Sequence, residues 1–254
     1  DNIVINIVKN PIVNAGADRL VCQGSINVNA TIQNAGSILW TVQNGNGNFV
    51  DPTASNPIYI PALSDLNTTV TFTVTVTPIN NCGPTVSDSV LYTINATPSV
   101  VAGGNATICQ SNSSYQLQAT ATNTNSITWT STGSGSFDNV NNEDPIYTLS
   151  PNDINAGSVT FTITGTQAGC SNVTDTMVLT IQKNPTANAG AAQVICQGDM
   201  IVLPGSATNA SGYNWIRNGG AGTFINTNTT NPTYMSQPTE SGTIYLTLIA
   251  NAIA

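Results

Sequence analysis

The stretch Thr69-Val-Thr-Phe-Thr-Val-Thr-Val-Thr77 alternates strictly between threonine and apolar side chains. Successive side chains of an extended strand point to opposite faces, so the apolar residues share one face and the threonines share the other. The pattern returns as Val159-Thr-Phe-Thr-Ile-Thr164 and, less regularly, as Thr243-Ile-Tyr-Leu-Thr-Leu248. These segments predict a half-buried strand that occurs three times along the chain.

Other landmarks recur along the chain at nearly the same interval. A spacing of 87 residues separates Pro11 from Pro98 and again Pro98 from Pro185. The further landmarks are Cys22, Cys109 and Cys196, then Trp40, Trp129 and Trp215, and then the tyrosines of the Pro-x-Tyr segments, Tyr59, Tyr147 and Tyr234. Such a period predicts an array of similar units, each about the size of a seven-stranded sandwich.

These landmarks also set the boundaries of the units. Residues 1–10 align with the closing strands at Asp88–Thr97 and Asp175–Asn184, so we expect them to close a preceding repeat. The repeats themselves are residues 11–97, residues 98–184 and residues 185–254, the last of which stops before its closing strand. The predicted fold class is all-β, a tandem array of seven-stranded β-sandwiches placed end to end.

The composition excludes several classes of function. The chain has four Lys or Arg, twelve Asp or Glu and no His, and its polarity comes from 37 Thr and 34 Asn. Four cations cannot form the basic face that nucleic-acid binding requires. No apolar run approaches the roughly 18 to 20 residues of a membrane span, so we expect no membrane insertion. Without His, and without a carboxylate pair that recurs between units, the sequence predicts neither a catalytic site nor a cofactor.

A tryptophan strand in each unit leads into a Gly-x-Gly-x-Phe segment. Gly-x-Gly can cradle a phosphate, but that use needs a helix directly after it, and here a strand or loop follows. We therefore predict a hairpin whose aromatic residues fill the centre of each sandwich. These core residues are Trp40, Trp129, Trp215, Phe49, Phe137 and Phe224. Short helical turns are expected at Leu63–Leu66 and Pro151–Ile154, where Asp65 or Asp153 caps free amides.

Five cysteines are distributed over the three units. Cys22 and Cys82 lie 60 residues apart, and Cys109 and Cys170 lie 61 residues apart. We predict two disulfides within units, Cys22 with Cys82 and Cys109 with Cys170, and expect the partner of Cys196 beyond Ala254. One pair per unit falls short of the four ligands of a zinc site, so no metal is predicted. Disulfides indicate an oxidising compartment, which places the chain outside the cytoplasm.

The joints between units contain proline and no Gly/Ser linker. Each joint is an Asn-Pro or Thr-Pro pair ending at Pro11, Pro98 or Pro185, and proline restricts both itself and the preceding residue. We expect semi-rigid joints. Calcium, which prefers clustered carboxylate oxygens, is disfavoured at the joint because its equivalent positions are Asp18, Asn105 and Ala192.

The repeated unit resembles PKD-like, immunoglobulin-like repeats. Its pattern is Pro…Asn-Ala-Gly-Ala…Cys-Gln-Gly…Trp…Gly-x-Gly-x-Phe…Asn-Pro-x-Tyr…Cys, and it is similar to that of giant surface adhesins of the Bacteroidota, in particular the SprB-type gliding-motility adhesins. This resemblance implies an immunoglobulin-like sandwich, export by the type IX secretion system and a location at the cell surface. It also implies O-glycosylation at Ser89 and Thr176, which follow Asp88 and Asp175 in a signal of that phylum. The alternative interpretation is that each aspartate is only a turn residue.

Three functions remain as hypotheses. We expect the stalk of a secreted adhesin or filament, whose partners are neighbouring repeats of the same chain, a surface or glycan ligand at a distal tip, and other chains in a bundle. A carbohydrate-binding accessory module of a polysaccharide-degrading enzyme is the first alternative, and it requires an exposed row of aromatic residues. A strand-donating surface fibre is the second, in which residues 1–10 complete the third unit of a neighbouring copy.

Overall fold

The structure, a computed structural model that describes residues 1–253, is almost entirely β-structure. The first unit contains β1 (Ile12–Asn14), β2 (Arg19–Cys22), β3 (Ile26–Asn27), β4 (Thr31–Gln33), β5 (Ala35–Gln43), β6 (Asn48–Phe49), β7 (Ile58–Ile60), β8 (Thr68–Pro78) and β9 (Val86–Asn95). The expected strand at residues 69–77 lies within β8. The predicted all-β tandem array is therefore confirmed.

Three hydrogen-bonded groups of strands form the first unit. One sheet has the order β2-β9-β8-β5, in which β2 runs parallel to β9 and the other pairs are antiparallel. Strands β3, β7 and β6 form the second sheet, and β1 pairs with β4. Nine segments occur where seven strands were predicted because the first strand is interrupted near Gly16, whose φ is +96°, and the second is interrupted between Asn27 and Thr31.

The second unit repeats this topology, with β11-β18-β17-β14 as its four-stranded sheet and β11 parallel to β18. Its elements are β10 (Ser99–Val101), β11 (Ala106–Cys109), β12 (Ser114–Gln116), β13 (Thr120–Thr122), β14 (Ser126–Ser131), β15 (Ser136–Phe137), β16 (Ile146–Thr148), α1 (Pro151–Ala156), β17 (Ser158–Thr166) and β18 (Val173–Gln182). The same sequence landmarks therefore produce the same pairing of strands.

The third unit contains fewer strands than the other two. Its elements are β19 (Thr186–Asn188), β20 (Met200–Val202), β21 (Ser206–Thr208), β22 (Ala210–Asn218), β23 (Thr223–Ile225), β24 (Thr233–Met235) and β25 (Tyr245–Ala252). Within the described residues β25 pairs with β22 alone. Residues 1–10 carry no strand, and the apolar side chains of Ile3, Ile5 and Ile7 are exposed. Their assignment to a preceding repeat stays a prediction.

Each unit buries its own hydrophobic cluster. In β8, the side chains from Val70 to Val76 that point inwards are fully buried, as the alternation predicts. In β17, Val159, Phe161 and Ile163 occupy the same place in the second cluster. The third cluster is smaller and centres on Trp215, Tyr234 and Leu248.

The two predicted helical turns are present. A 3₁₀ turn covers Leu63–Asp65, and α1 occupies the equivalent place in the second unit. Another 3₁₀ turn, Ile79–Asn81, precedes Cys82. Among residues 1–253 no helix has the length and apolar character needed to cross a membrane.

Candidate functional site: the joint between the first two units

A disulfide joins the first unit to the second. Cys22 is the last residue of β2, and Cys170 lies in the turn between β17 and β18. Their sulfur atoms are bonded, with the two Cα atoms 4.7 Å apart and 148 residues between them in sequence. The bond crosses the joint at Thr97-Pro98, so the two sandwiches are linked covalently at a second point besides the main chain.

The predicted disulfides within units are wrong. Cys22 pairs in parallel register with Asn95, at the end of β9, whereas Cys82 precedes Val86, at the start of the same strand. A strand of ten residues spans about 30 Å, and a disulfide needs Cα atoms within about 7 Å. Cys22 and Cys82 therefore lie at opposite ends of one sandwich.

The same geometry separates the two cysteines of the second unit. Cys109 pairs with Gln182 at the end of β18, and Cys170 precedes the start of that strand. The predicted bond between Cys109 and Cys170 is therefore also wrong. In the structure Cys82, Cys109 and Cys196 carry free, exposed thiols.

Polar and close backbone contacts accompany the disulfide at the joint. The side-chain amide of Asn95 donates a hydrogen bond of 2.7 Å to the carbonyl oxygen of Ala168 in the second unit. Gly169 lies against the backbone of Leu20 and Val21, and a Cβ atom at Gly169 would approach them to 2.7 Å. Its φ of +75° also favours glycine. The turn before Cys170 thus fits closely onto the end of the first unit.

An asparagine fixes the start of each unit in the same way. The side-chain amide of Asn123 donates to the carbonyl oxygen of Thr97 at 3.2 Å, immediately before Pro98. Asn34 makes this bond to Asn10, and Asn209 makes it to Asn184, at 2.9 and 3.3 Å. All three asparagines have φ between +53° and +55°, a conformation that asparagine tolerates better than most residues. The proline linkers are therefore attached to the following unit by a recurring contact.

The Gly-x-Gly segment of the first unit binds a carboxylate side chain of the same unit, that of Asp65. The carboxylate of Asp65 accepts hydrogen bonds from the backbone amides of Asn46 at 2.7 Å and Gly47 at 2.9 Å. It also accepts one from the hydroxyl of Tyr59 at 2.7 Å and one from the backbone amide of Ala62 at 2.9 Å. Asp65 is only 1% exposed, so these four donors replace the water that a charged group would otherwise need.

The other units contain the same buried carboxylate. Asp153 accepts bonds from the amides of Ser134 and Gly135, the hydroxyl of Tyr147 and the amide of Ser150. Glu240 accepts them from the amides of Ala221, Gly222 and Gln237 and the hydroxyl of Tyr234. We refer to Asp65, Asp153 and Glu240 together as the cradled carboxylates.

Burial and hydrogen bonding act in opposite directions on these groups. Burial favours the neutral form of a carboxyl, but the amide and hydroxyl donors outweigh it, so the pKa of each cradled carboxylate is below its usual value. Burial, followed by the hydrogen bond to Asp65, raises the pKa of Tyr59 above its usual range. Tyrosine and carboxylate therefore form a pair of one neutral and one charged group.

Sequence reasoning gave Asp65 and Asp153 a capping role but missed both Glu240 and the tyrosines. The available signal was an acidic residue six positions after each tyrosine of the Pro-x-Tyr segments. The third unit has glutamate where the others have aspartate, so the recurring acidic position is not recognised when only identical residues are compared.

The aromatic residues predicted for the core lie inside the sandwiches to different degrees. Trp40, Trp129 and Trp215 are buried, and each phenylalanine is partly buried against the same clusters. The Phe49 ring lies 5.9 Å from that of Trp40 and 5.3 Å from that of Tyr59. Phe137 and Phe224 lie 5.0 and 5.4 Å from the equivalent tyrosines. None of the three indole rings is therefore presented to solvent.

The aspartates of the glycosylation signals have a structural role. Asp88 and Asp175 each accept a hydrogen bond of 2.8 Å from the backbone amide of the residue that follows the first strand of the unit, Ala15 or Ala102. The residues that follow, Ser89 and Thr176, have exposed side chains on the polar face of the closing strand.

The position considered for calcium makes contacts within its own unit. Asp18 and Asn105 accept hydrogen bonds from the backbone amides of Leu91 and Val178, at 2.9 and 2.8 Å. Among residues 1–253 no three His, Cys, Asp or Glu side chains form a group suited to a metal ion. The side-chain oxygen atoms at this position accept hydrogen bonds from backbone amides of the closing strand.

The chain is similar to solved structures of several multi-domain proteins. No protein-family model matches the chain, and no curated protein matches it either. The N-terminal eight immunoglobulin domains of Down Syndrome Cell Adhesion Molecule match with a TM-score of 0.59 and 12% identity, over 98% of this chain and 37% of that chain. A three-domain titin fragment, I67–I69, matches with a TM-score of 0.48 and 12% identity, over 96% and 98% of the two chains. Mouse cadherin-23 EC22–24 matches with a TM-score of 0.41 and 14% identity, over 94% and 93%. The chain is a tandem array of immunoglobulin-like β-sandwiches.

Proposed function

We propose that this chain is part of the stalk of a long secreted adhesin or filament at the cell surface, and that it holds a distal adhesive tip away from the cell. The Cys22–Cys170 disulfide carries this proposal, because a bond across a joint resists separation and bending of neighbouring units. A bond within one sandwich would do neither. The contacts of Asn95 and Gly169 at the same joint support the same role.

The location and the route of export are further parts of the proposal. A disulfide persists in an oxidising environment, which favours the outside of the cell. The resemblance of the repeats to gliding-motility adhesins favours type IX secretion and a role in surface adhesion or gliding. Glycans on Ser89 and Thr176 would project from the exposed faces of β9 and β18, where both side chains lie.

Small-angle scattering of the purified chain tests the stalk. Each unit should add about 30 to 40 Å to the maximum dimension, as strands of about ten residues laid end to end require. The variant Cys22→Ser keeps the three sandwiches but lacks the bond, so it should show a broader distribution of distances at the same mass. A compact particle for the unmutated chain would contradict the proposal.

A binding assay separates the stalk from the carbohydrate-binding alternative. Aromatic platforms for sugar rings must face solvent, and Trp40, Trp129 and Trp215 are buried. We expect no retention of the chain on a panel of insoluble polysaccharides. Saturable retention on one of them would favour the accessory module instead.

A further inference from the structure

We propose that Cys82 and Cys109 are halves of further disulfides between repeats, so that each joint of the array carries one such bond. Cys109 would pair with the cysteine in the last hairpin of the repeat that follows the second unit. Cys82 would pair with the second-strand cysteine of a repeat that precedes the first unit. This inference concerns covalent connectivity, and it does not depend on the proposed stalk function.

The surroundings of Cys109 reproduce those of the bonded Cys22. Cys22 ends β2 opposite Asn95, and Cys109 ends β11 opposite Gln182, both in parallel register with a closing strand. The next residue then donates its backbone amide to that strand at 2.8 Å in both units, from Gln23 to Asn95 and from Gln110 to Gln182. The exposed thiol of Cys109 is therefore held at the same end of its sandwich as the sulfur of Cys22.

The surroundings of Cys82 reproduce those of the bonded Cys170. Each cysteine lies in the hairpin between the two longest strands of its unit. Each donates its backbone amide at 3.0 Å to the residue three positions earlier, Ile79 for Cys82 and Gln167 for Cys170. A left-handed residue precedes each cysteine, Asn81 with φ +57° and Gly169 with φ +75°. The exposed thiol of Cys82 therefore occupies the place from which Cys170 reaches across the joint.

The second joint, between the second and third units, repeats structural features of the first joint. Asn209 holds the carbonyl of Asn184 as Asn123 holds that of Thr97. Trp215 pairs with Leu248 as Trp129 pairs with Ile163, so β25 has the same register as β17. A hairpin after β25 would then occupy the place in the third unit that the turn with Cys170 occupies in the second unit.

Bonds of this kind overlap along the chain. The loop closed by Cys22 and Cys170 contains Cys109, so the next bond begins inside the loop of the previous one. Reduction of a single bond would then leave the two units at that joint connected by the main chain, while the bonds at the neighbouring joints stay intact.

A chain with one additional repeat tests the pairing of Cys82. A copy of residues 98–184 placed directly before Pro11 provides a complete preceding unit, joined through the same Lys-Asn-Pro sequence that the chain has at residues 9–11 and 183–185. Alkylation without reduction, followed by proteolysis and mass spectrometry, should link Cys82 to the copy of Cys109. The bond between Cys22 and Cys170 should remain, and the copy of Cys170 should be alkylated.

Serine variants of the lengthened chain provide the controls. With Cys82→Ser, the copy of Cys109 should become alkylated, whereas Cys196→Ser should leave the new bond intact. The proposal is overturned if Cys82 and the copy of Cys109 are both alkylated, or if the copy of Cys109 bonds to the copy of Cys170 within its own unit.

A second chain tests Cys109 independently. Residues 1–251 followed by a copy of residues 167–184 give the third unit a hairpin and a closing strand like those of the second unit. The added cysteine should bond to Cys109, and a bond to Cys196 instead would contradict the proposal. In the variant Cys109→Ser the added cysteine should be alkylated while the far-UV circular dichroism stays unchanged.

Discussion

At the scale of single residues, the charge of Asp65 is stabilised without a cation. Backbone amides and one tyrosine hydroxyl supply its hydrogen bonds, and three of these donors come from turns on either side of β6 and β7. Because one side chain connects the Gly-x-Gly turn, the Pro-x-Tyr strand and the 3₁₀ turn, it fixes the loops at one end of the sandwich. The cradled carboxylates are therefore structural groups.

Asp65→Asn tests this role. The neutral amide has one acceptor oxygen and places an NH2 group among donors, which leaves buried amides unpaired. We expect the free energy of unfolding to fall by about 3 kcal/mol, within the range for breaking a buried, hydrogen-bonded charge. Urea unfolding followed by circular dichroism measures it. Asp199→Asn, at an exposed side chain, should change the stability little. Equal effects for both variants would argue against a special role for Asp65.

The lowered pKa values of the cradled carboxylates predict loss of stability in acid. A group with a lowered pKa in the folded state stabilises the fold fully above its ordinary pKa, and this contribution disappears as the pH falls through the folded value. We expect a nearly constant Tm from about pH 5 to 8 and a decline below about pH 4. Calorimetry across this range should also show a shallower acid decline for Asp65→Asn. An unchanged decline in that variant would assign the acid sensitivity to other carboxyl groups.

At the scale of elements, the Gly-x-Gly turn requires glycine for space. A Cβ atom at Gly47 would lie 2.6 Å from the hydroxyl oxygen of Tyr59 and would collide with the carbonyl oxygen of Ile60. We expect Gly47→Ala to destabilise the first unit by about 2 kcal/mol, as overpacking of a filled site does. Gly104 has no atom within 4 Å of such a Cβ, so Gly104→Ala is the matched control and should be nearly neutral. Thermal unfolding of both variants measures the difference, and similar losses would refute the steric explanation.

The same elements show what the sequence can predict. Alternation in residues 69–77 identifies β8 and its buried face, because a period of two has one structural meaning. The disulfides could not be paired from spacing, because spacing does not show that β2 runs parallel to β9 and so places Cys22 far from Cys82. The Gly-x-Gly turn was correctly placed beside strands, yet its anion, Asp65, lies 18 residues after Gly47 and is brought there only by the folded β6–β7 hairpin.

At the scale of the whole molecule, the disulfide between units changes the path of an applied force. Tension enters the first unit through its main chain, reaches Cys22 and passes directly to Cys170. The intervening residues contain most of both sandwiches, and we expect the bond to bypass them when the chain is stretched. A stalk built in this way would keep its length even if one of these sandwiches unfolded.

Single-molecule stretching between the two ends of the chain measures this path. The bond keeps the segment between Cys22 and Cys170, a separation of 148 residues, from being stretched, so this segment should not contribute to the fully extended length of the oxidised chain. At about 3.4 Å per residue, reduction should lengthen the unfolded chain by about 500 Å. Cys22→Ser should show the longer length without reductant, whereas Cys196→Ser should behave as the unmutated chain because its thiol is free. Equal lengths before and after reduction would mean that no bond closes the loop between Cys22 and Cys170 in the stretched chain, and the proposed mechanical role would then fail.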